Sequence, residues 1–226
     1  MLWSPEVDWS APAGRTLRKL LQALPSGREY EVTLFGSAPL QLTLESTFTS
    51  ADVDLFTPED SEDALAAAIV EARLGKGQAD VYVQLCAELN FRTSPRWRTR
   101  AFTTHLGNVR ITLPHPIDIL IAKLHRLAPK DLDAYRLVID RLGSPTEQEL
   151  RGELQAAVDL YRPGFDEEIS SDITTNTRVL WQELWGQDIN VRQEIIAPAL
   201  ARMRAGYAAD IPEHDYKADL RRMAEE

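Results

Sequence analysis

The chain has 226 residues, of which 44% are hydrophobic and 27% charged, a composition typical of a globular protein that buries its own core. Its formal net charge of −10 argues against general binding to nucleic acid, since affinity for phosphate comes from clustered Lys and Arg. One cysteine, Cys86, excludes an internal disulfide bond, the first 13 residues lack the pattern of a signal peptide, and no apolar run approaches the roughly 20 residues that span a bilayer. We therefore expect a cytoplasmic protein with no membrane partner.

The first half of the chain alternates helical and extended patterns. Leucines three and four residues apart predict the first helix, and alternation of acidic and apolar side chains predicts a half-buried strand around Asp52 and Asp54. Thr57, Pro58 and Glu59 form a helix start, with Thr57 as the N-cap. In chain order we predict a helix over residues 14–24, a strand over 31–35, a short helix over 38–45, a strand over 50–56, a helix from 58 to about 74 and a strand over 80–91.

In the second half, two short strand patterns on either side of Gly107 and Asn108 predict a β-hairpin. Thr146 and Glu149 form a capping box that begins a later helix. The predicted elements are strands over 101–105 and 109–113, helices over 117–127, 132–142 and 147 to about 161, and a mostly helical remainder. This order predicts an α/β (α+β) fold, with an α/β domain over residues 1–143 and a mostly helical region over residues 144–226.

The most informative cluster of residues runs from Gly36 and Ser37 to Asp52 and Asp54. Residues two apart in a strand point to the same face, so the two aspartates aim their carboxylates at one point and repel each other unless a cation lies between them. Mg²⁺ is commonly held by one or two carboxylates plus substrate phosphates, and a glycine-serine turn offers N–H groups and a hydroxyl to phosphate. Taken alone, an Asp-x-Asp is more often a solvated strand edge or a helix cap.

The order of strand, Gly36-Ser37, short helix and Asp52-Val53-Asp54 resembles the signature of the nucleotidyltransferase superfamily that includes DNA polymerase β. A second set of residues is similar to a signature of its bacterial branch, which includes the AbiEii-type abortive-infection toxins and uncharacterised nucleotidyltransferase-like families. These residues are Pro116, Asp118, Leu120, Lys123, Leu124, Arg126, Lys130, Asp131 and Asp133. The resemblance covers roughly residues 30–140 and implies a mixed sheet flanked by helices, with a helical C-terminal extension.

The resemblance also implies a Mg²⁺-dependent transfer of a nucleoside monophosphate from an NTP to a hydroxyl group of RNA, protein or a small molecule. Gly36 and Ser37 would face the nucleotide phosphates, and Lys123 would contact a phosphate as a point charge. Asp131 would orient Lys123 or the acceptor. The resemblance implies that Asp52 and Asp54 are the metal ligands and the first two catalytic residues.

A third catalytic carboxylate is expected on the next central strand. Asp80 and Glu88 are the candidates, and Glu88 is preferred because its neighbours are more apolar. Phe48 and Ser50 stand where relatives usually carry an arginine and a threonine. These departures keep an alternative open, in which a non-catalytic protein on the same fold acts as a binding or regulatory partner in a toxin–antitoxin-like system. An unrelated α/β domain with accidental motifs is the third interpretation.

A second conspicuous feature is a group of four arginines within nine residues, with Trp97 among them. They are Arg92, Arg96, Arg98 and Arg100. One interpretation is a patch that grips an RNA or protein acceptor, with Trp97 available for stacking. The other is pairing with the acidic C-terminal helices, since residues 151–226 carry nine Lys/Arg against 15 Asp/Glu. Cys86 is expected to be a small buried residue of a strand.

Overall fold

The computed structural model of the chain describes residues 3–161 and 173–210. Within them, five strands form one mixed sheet flanked by helices, which confirms the predicted α/β (α+β) class. The strands are β1 (Tyr30–Leu34), β2 (Asp52–Phe56), β3 (Tyr82–Leu85), β4 (Phe102–Leu106) and β5 (Val109–Leu113).

Nine α-helices occur in the described residues. They are α1 (Pro12–Ala23), α2 (Ala38–Thr43), α3 (Glu59–Glu71), α4 (Trp97–Arg100), α5 (Pro116–Lys123), α6 (Pro129–Leu142), α7 (Glu147–Ala156), α8 (Ile173–Trp185) and α9 (Ala197–Asp210). Short 3-10 turns span Glu88–Asn90 and Val158–Tyr161, and a π-helical turn spans Arg192–Ile196. None of the helices in this part of the chain is long and apolar enough to cross a membrane.

The sheet has the strand order β3-β2-β1-β5-β4. Strands β1 and β5 are parallel, as are β2 and β3, whereas β1 runs antiparallel to β2 and β4 runs antiparallel to β5. Because β1 and β2 run in opposite directions, the end of β1 lies beside β2, and the amide of Phe35 donates to the carbonyl of Asp54 at 2.8 Å. The turn at Gly36 and Ser37 therefore follows directly beside Asp54.

One face of the sheet is apolar and covered by α1 and α3. The inward side chains alternate along β1, β2 and β5, as period two requires, and pack with Leu17 and Leu20 of α1 and Leu65 of α3. The strand residues in this core are Tyr30, Val32, Leu34, Val53, Leu55, Val83, Val109, Ile111 and Leu113. Burying each such side chain stabilises the fold by roughly 1.5–3 kcal/mol. Because Val53 and Leu55 are held in this layer, the alternate residues of β2 lie on the opposite face of the sheet.

The other face is polar along β2 and is covered in part by a second core. Phe56, two residues beyond Asp54, packs against this core together with Phe35, which stacks on Phe91. Helices α5, α6, α7 and α8 supply most of the rest, including the fully buried Tyr135, Leu150 and Trp181. Residues on both sides of the predicted boundary at 143 and 144 thus share one hydrophobic cluster.

Several predicted boundaries are wrong, and the reasons are local. The strand predicted over 80–91 ends at Leu85, because the chain turns into the 3-10 segment at Glu88–Asn90. Thr57 does not cap α3; its hydroxyl donates to the carbonyl of Glu31 at 2.8 Å. The capping box of Thr146 and Glu149 is confirmed at the start of α7. Parts of the predicted helical remainder, at 162–172 and 211–226, lie outside the described residues.

Candidate functional site

Asp52 and Asp54 lie on the face of β2 opposite Val53 and Leu55, which are fully buried under α1 and α3. Each carboxylate contacts a side chain contributed by β3 or the residue after it. The hydroxyl of Tyr82 donates to Oδ2 of Asp52 at 3.2 Å, and the thiol of Cys86 donates to Oδ1 of Asp54 at 3.6 Å. The period-two spacing therefore places both aspartates on the polar face of the sheet.

Burial and the charge of Asp52 both raise the pKa of Asp54. Two carboxylates on one face repel each other, and burial removes the water that would screen them. The same environment acts on Cys86, where burial and then the charge of Asp54 raise the thiol pKa to about 11. Cys86 is thus a half-buried neutral donor beside the site, and the expectation that it is buried within a strand is wrong. A bound cation would relieve the repulsion between the aspartates.

Gly36 is needed where it is because Asp54 packs directly against it. The residue takes a left-handed φ of 64°, and a Cβ placed on it would overlap Oδ2 of Asp54. Any other residue at position 36 would lower the stability of the fold in two ways, through the strained left-handed backbone and through displacement of this carboxylate. The short distance between Gly36 and Asp54 brings the turn after β1 and the aspartates of β2 into one cluster.

This close approach gives a matched pair of variants. Gly36→Ala and Gly107→Ala both place a side chain at a left-handed glycine, with φ of 64° and 62°, but only position 36 meets another atom. We expect both to lose about 1–2 kcal/mol from the backbone and Gly36→Ala to lose about 1–3 kcal/mol more from overpacking. Urea denaturation measures the difference; equal losses in the two variants would show that Asp54 does not pack on Gly36.

Lys123 reaches the turn from the last residue of α5. Its ammonium donates to the hydroxyl of Ser37 at 2.9 Å and to Oδ1 of Asp131 at 3.0 Å, and its side chain is only 8% exposed. Burial lowers the pKa of Lys123, and the charge and hydrogen bond of Asp131 oppose that shift. The Ser37 side chain makes no capping bond to α2, so its hydroxyl is directed at Lys123 instead.

Asp131 is fully buried and accepts four hydrogen bonds. They come from Lys123, from two nitrogens of Arg126 at 3.0 and 3.1 Å, and from the amide of Ala128 at 2.9 Å. Although burial raises the pKa of Asp131, the bonds from Arg126 and the charge of Lys123 lower it overall. Asp131 therefore remains an anion that holds Lys123 and Arg126 at fixed positions.

The turn between α5 and α6 makes this arrangement geometrically feasible. Leu127 takes a left-handed φ of 45°, which is uncommon for a branched residue, and its amide donates to the carbonyl of Lys123 at 2.9 Å. The chain therefore leaves α5 after Lys123 and re-enters a helix at Pro129, so that Asp131 in the first turn of α6 folds back onto Lys123. This is why the helix predicted over 117–127 ends early.

Sequence reasoning assigned no site role to four further residues in this cluster. Arg126 and Lys130 lie close enough to Asp54 for their charges to act across the site, while Tyr82 and Cys86 bind the two aspartates. Lys123, Arg126 and Asp131 lie close together in sequence on either side of a helix end, and this spacing could have predicted that Arg126 belongs to the site. The contacts of Tyr82 and Cys86 depend on the pairing of β2 with β3, which the local pattern does not contain.

The two candidates for a third carboxylate lie away from the aspartates. Glu88 belongs to the 3-10 turn and forms an ion pair with Arg98, and Asp80 is exposed in the loop before β3. The residue that pairs with Asp54 across the sheet is Gln84. Within residues 3–161 and 173–210, no group of three or more His, Cys, Asp and Glu side chains is placed to hold a metal ion.

The positions that depart from the family signature have structural roles here. The hydroxyl of Ser50 donates to the carbonyl of Asp52 at 2.8 Å, and the Phe48 side chain packs against the second core. The carbonyl of Phe48 also accepts a bond from the amide side chain of Gln41 at 2.5 Å. Phe48 therefore contributes packing and carries no charge toward the aspartates.

Three of the four arginines in the sequence cluster are paired within the chain. Arg96 and Arg100 both bind Glu153 of α7, Arg100 also binds the buried Asp118, and Arg98 binds Glu88. Trp97 is buried against Phe35 and Phe91, so it is not available for stacking on a base. These contacts favour intramolecular pairing over an acceptor-binding patch.

Two clefts lie near the aspartates without being lined by them. The larger, of about 570 Å³, lies between α1 and the loop before β3. The smaller, of about 410 Å³, lies at the far ends of β2 and β3 and includes Cys86 and Glu88. Neither cleft is lined by Ser37, Asp54 or Lys123. The open side of this cluster is taken as the side of Arg126, whose side chain is 62% exposed.

No protein-family model, curated protein or solved structure matches this chain. The site is therefore interpreted on the chemistry of its own residues.

Proposed function

We propose that this chain is a Mg²⁺-dependent nucleotidyltransferase that moves a nucleoside monophosphate from an NTP to a hydroxyl group of RNA, protein or a small molecule. One observation carries the proposal: the ammonium of Lys123 binds Ser37 at 2.9 Å, in the turn whose glycine packs against Asp54. A cation, a hydroxyl and a pair of carboxylates from three separate segments thus converge on one place. Such a set is suited to a metal-bound phosphate chain.

The residues fit a divalent cation by their chemistry. Asp52 and Asp54 offer carboxylate oxygens, which are the ligands that Mg²⁺ prefers. Burial and the charge of Asp52 raise the pKa of Asp54, and a bound cation would oppose that shift. With two protein ligands, the remaining positions on the ion would be filled by phosphate oxygens and water. The bound ion would neutralise charge on the phosphate chain during transfer.

The side chains of Ser37 and Lys123 would bind the phosphates themselves. Lys123 already points into the cluster, and Asp131 fixes it there at 3.0 Å while opposing the effect of burial on its pKa. Arg126, held by the same carboxylate and largely exposed, would meet the nucleotide at the open side of the site. In the transfer, the acceptor hydroxyl loses its proton to water and its oxygen forms a bond to the α-phosphorus as the bond to the departing pyrophosphate breaks.

A second candidate function is a non-catalytic nucleotide-binding or regulatory protein on the same fold. The observation that favours it is the placement of Glu88, which is paired with Arg98 and leaves the acceptor hydroxyl without a third carboxylate near Asp54 in the described residues. Both candidates are expected to bind nucleotide, so only an assay of nucleotide transfer distinguishes them. We also propose a cytoplasmic location, for which the single cysteine is the support.

Lys123→Met tests the proposal. The parent should be stabilised by Mg²⁺ together with at least one of ATP, CTP, GTP and UTP, and the variant should bind that nucleotide about 10- to 100-fold more weakly, as expected for a lost charged hydrogen bond. Thermal shift and calorimetric titration measure this. The control is Arg178→Met, which removes an exposed cation of α8. A Lys123→Met protein that is folded and binds the nucleotide as tightly as the parent contradicts the assignment.

A further inference from the structure

The largest of the clefts described above lies between α1 and residues 72–81, the loop that joins α3 to β3. Its lining includes Arg15 and Lys19 from α1, and Arg73 and one acid, Asp80, from the loop. All four side chains are exposed. The walls of the cleft therefore present three positive charges against one negative charge.

This positive charge is local in an acidic protein. Helix α1 and residues 72–81 together carry five Lys/Arg and one Asp, whereas the whole chain has a net charge of −10. The five are Arg15, Arg18, Lys19, Arg73 and Lys76. The sum of charges over the chain predicts weak affinity for phosphate, but the distribution places a basic stripe at the rim of one cleft.

The cations that line the cleft are not used in ion pairs in the part of the chain that the structure describes. Arg15 donates to the carbonyl of Ser10 and lies within range of the charge of Asp8 without a direct ion pair. Among residues 3–161 and 173–210, neither Lys19 nor Arg73 has an acidic partner. Nine other arginines in the described ranges do form ion pairs. They are Arg28, Arg96, Arg98, Arg100, Arg110, Arg126, Arg136, Arg141 and Arg151.

The backbone of Arg73 is unusual, because the residue stands at a position that favours glycine. Its φ is 54°, and the amides of Arg73 and Leu74 donate back to the carbonyls of Val70 and Ile69 to end α3. Leu74 is buried in the core below and fixes the turn. A guanidinium is thus held at the cleft by a backbone conformation that most residues avoid.

The cleft and the aspartates lie at the same edge of the sheet, on opposite faces. Val81 lines the cleft, and its carbonyl accepts a bond from Thr16 of α1 at 3.1 Å. The next residue, Tyr82, donates to Asp52 at 3.2 Å. One step along the chain therefore separates the wall of the cleft from the proposed transfer site.

We propose that this cleft binds the phosphate backbone of a single-stranded nucleic acid. The lining holds three cations, one acid, two uncharged polar side chains and otherwise small or aliphatic residues. It has no aromatic ring, so it suits successive phosphates better than stacked bases. Binding of this kind depends on salt and not on sequence. Its use as the acceptor site of the transfer rests on the proposed function, whereas the binding itself does not.

The test measures anisotropy of a labelled 12-nucleotide single-stranded RNA in EDTA, without NTP, over a range of salt concentrations. Relative to the parent, Arg15→Gln/Lys19→Gln/Arg73→Gly should bind at least tenfold more weakly, and the slope of log K against log salt should fall by about 2, as expected for three lost phosphate contacts. The matched control is Arg178→Gln/Arg192→Gln/Arg204→Gln, which removes three exposed arginines of the C-terminal helices. Equal weakening in both triple variants, or in neither, overturns the proposal.

Three further arms separate the alternatives. If inorganic triphosphate displaces the RNA at concentrations near the RNA dissociation constant, the cleft takes a free polyphosphate and the strand assignment is overturned. Asp52→Asn/Asp54→Asn, which should abolish transfer, removes two negative charges near the cleft and should not weaken this RNA binding. Failure of the cleft and failure of the proposed transfer are therefore distinguishable. Arg73→Gly alone should weaken binding while its melting temperature stays level or rises, since glycine accepts the left-handed conformation. An earlier melt would make Arg73 a structural residue and contradict its role.

Discussion

Replacing Asp131 with alanine should destabilise the protein by about 3–5 kcal/mol, the usual loss when one partner of a buried ion pair is removed. Asp131 has no exposed surface, and the substitution leaves Lys123 and Arg126 without their shared partner and the amide of Ala128 without its acceptor. The unpaired charge of Lys123 accounts for most of the loss, because its side chain is only 8% exposed and water cannot replace the carboxylate. Urea denaturation of the parent and the variant measures the loss.

Asp133→Ala is the matched control, since Asp133 lies two residues further along α6, has a side chain 64% exposed and pairs with Arg136 at 3.4 Å. Its loss should be below about 1 kcal/mol. The pKa of Asp131 is lowered on folding, so its contribution is complete above the ordinary value of 3.8 and fades as the pH falls through the lowered pKa. The gap between parent and Asp131→Ala should therefore narrow in acid. Equal losses at positions 131 and 133 would contradict the buried network.

Neutralising both aspartates, as Asp52→Asn/Asp54→Asn, should abolish Mg²⁺-dependent transfer of labelled nucleotide and leave the fold intact. The reason is that the two carboxylates are the metal ligands of the proposal, and their mutual repulsion is part of what raises the pKa of Asp54. Without metal, the variant should melt at the same temperature as the parent or higher. Function and stability would then change in opposite directions, as expected of a functional site.

The pH dependence of that comparison follows from the raised pKa of Asp54, to which burial and then the charge of Asp52 contribute. A carboxyl whose pKa rises on folding lowers stability when ionised, so the advantage of the variant should be greatest near neutral pH and shrink as the pH falls through the raised pKa. Asp63→Asn/Asp140→Asn, two exposed acids, serves as the control. A double variant at positions 52 and 54 that melts markedly earlier than the parent would make the aspartates structural.

The sequence carried enough information to place Asp52, Asp54 and Lys123 because their placement depends on local periodicity. Two-residue spacing in a strand fixes the shared face of the aspartates once Val53 and Leu55 are buried. The helix after Pro116 likewise ends with Lys123 toward the sheet, although Leu127 ends it earlier than apolar periodicity predicts. The class of the fold follows from the same patterns of alternation.

The placements of Glu88 and Trp97 could not be read from local pattern. Glu88 lies in an apolar stretch of sequence, but the chain leaves the sheet after Leu85, and an ion pair with Arg98 ten residues further on holds it away from Asp54. Trp97 is surrounded by arginines in sequence and by Phe35 and Phe91 in space. Contacts of this kind depend on long-range packing, which no window of the sequence contains.

The basic cleft could not be predicted from the sequence, for a related reason. Its charges come from α1 and from residues 72–81, more than fifty residues apart, and neither segment alone is more basic than an ordinary solvated helix or loop. Packing of α1 against α3 brings them to one rim. The net charge of −10 alone predicts weak affinity for phosphate, whereas the proposal for the cleft depends on where the charges lie.

The central claim is that Asp52 and Asp54 bind a divalent cation together with a nucleotide, and binding of Mn²⁺ in place of Mg²⁺ tests it most directly. Electron paramagnetic resonance titrations of free Mn²⁺, with each NTP in turn, would compare the parent, Asp52→Asn/Asp54→Asn and the control Asp63→Asn/Asp140→Asn. We predict that the parent and the control bind one Mn²⁺ per chain in the presence of nucleotide and that the variant at positions 52 and 54 does not. Equal Mn²⁺ binding by all three proteins, or none by the parent with any NTP, would contradict the account.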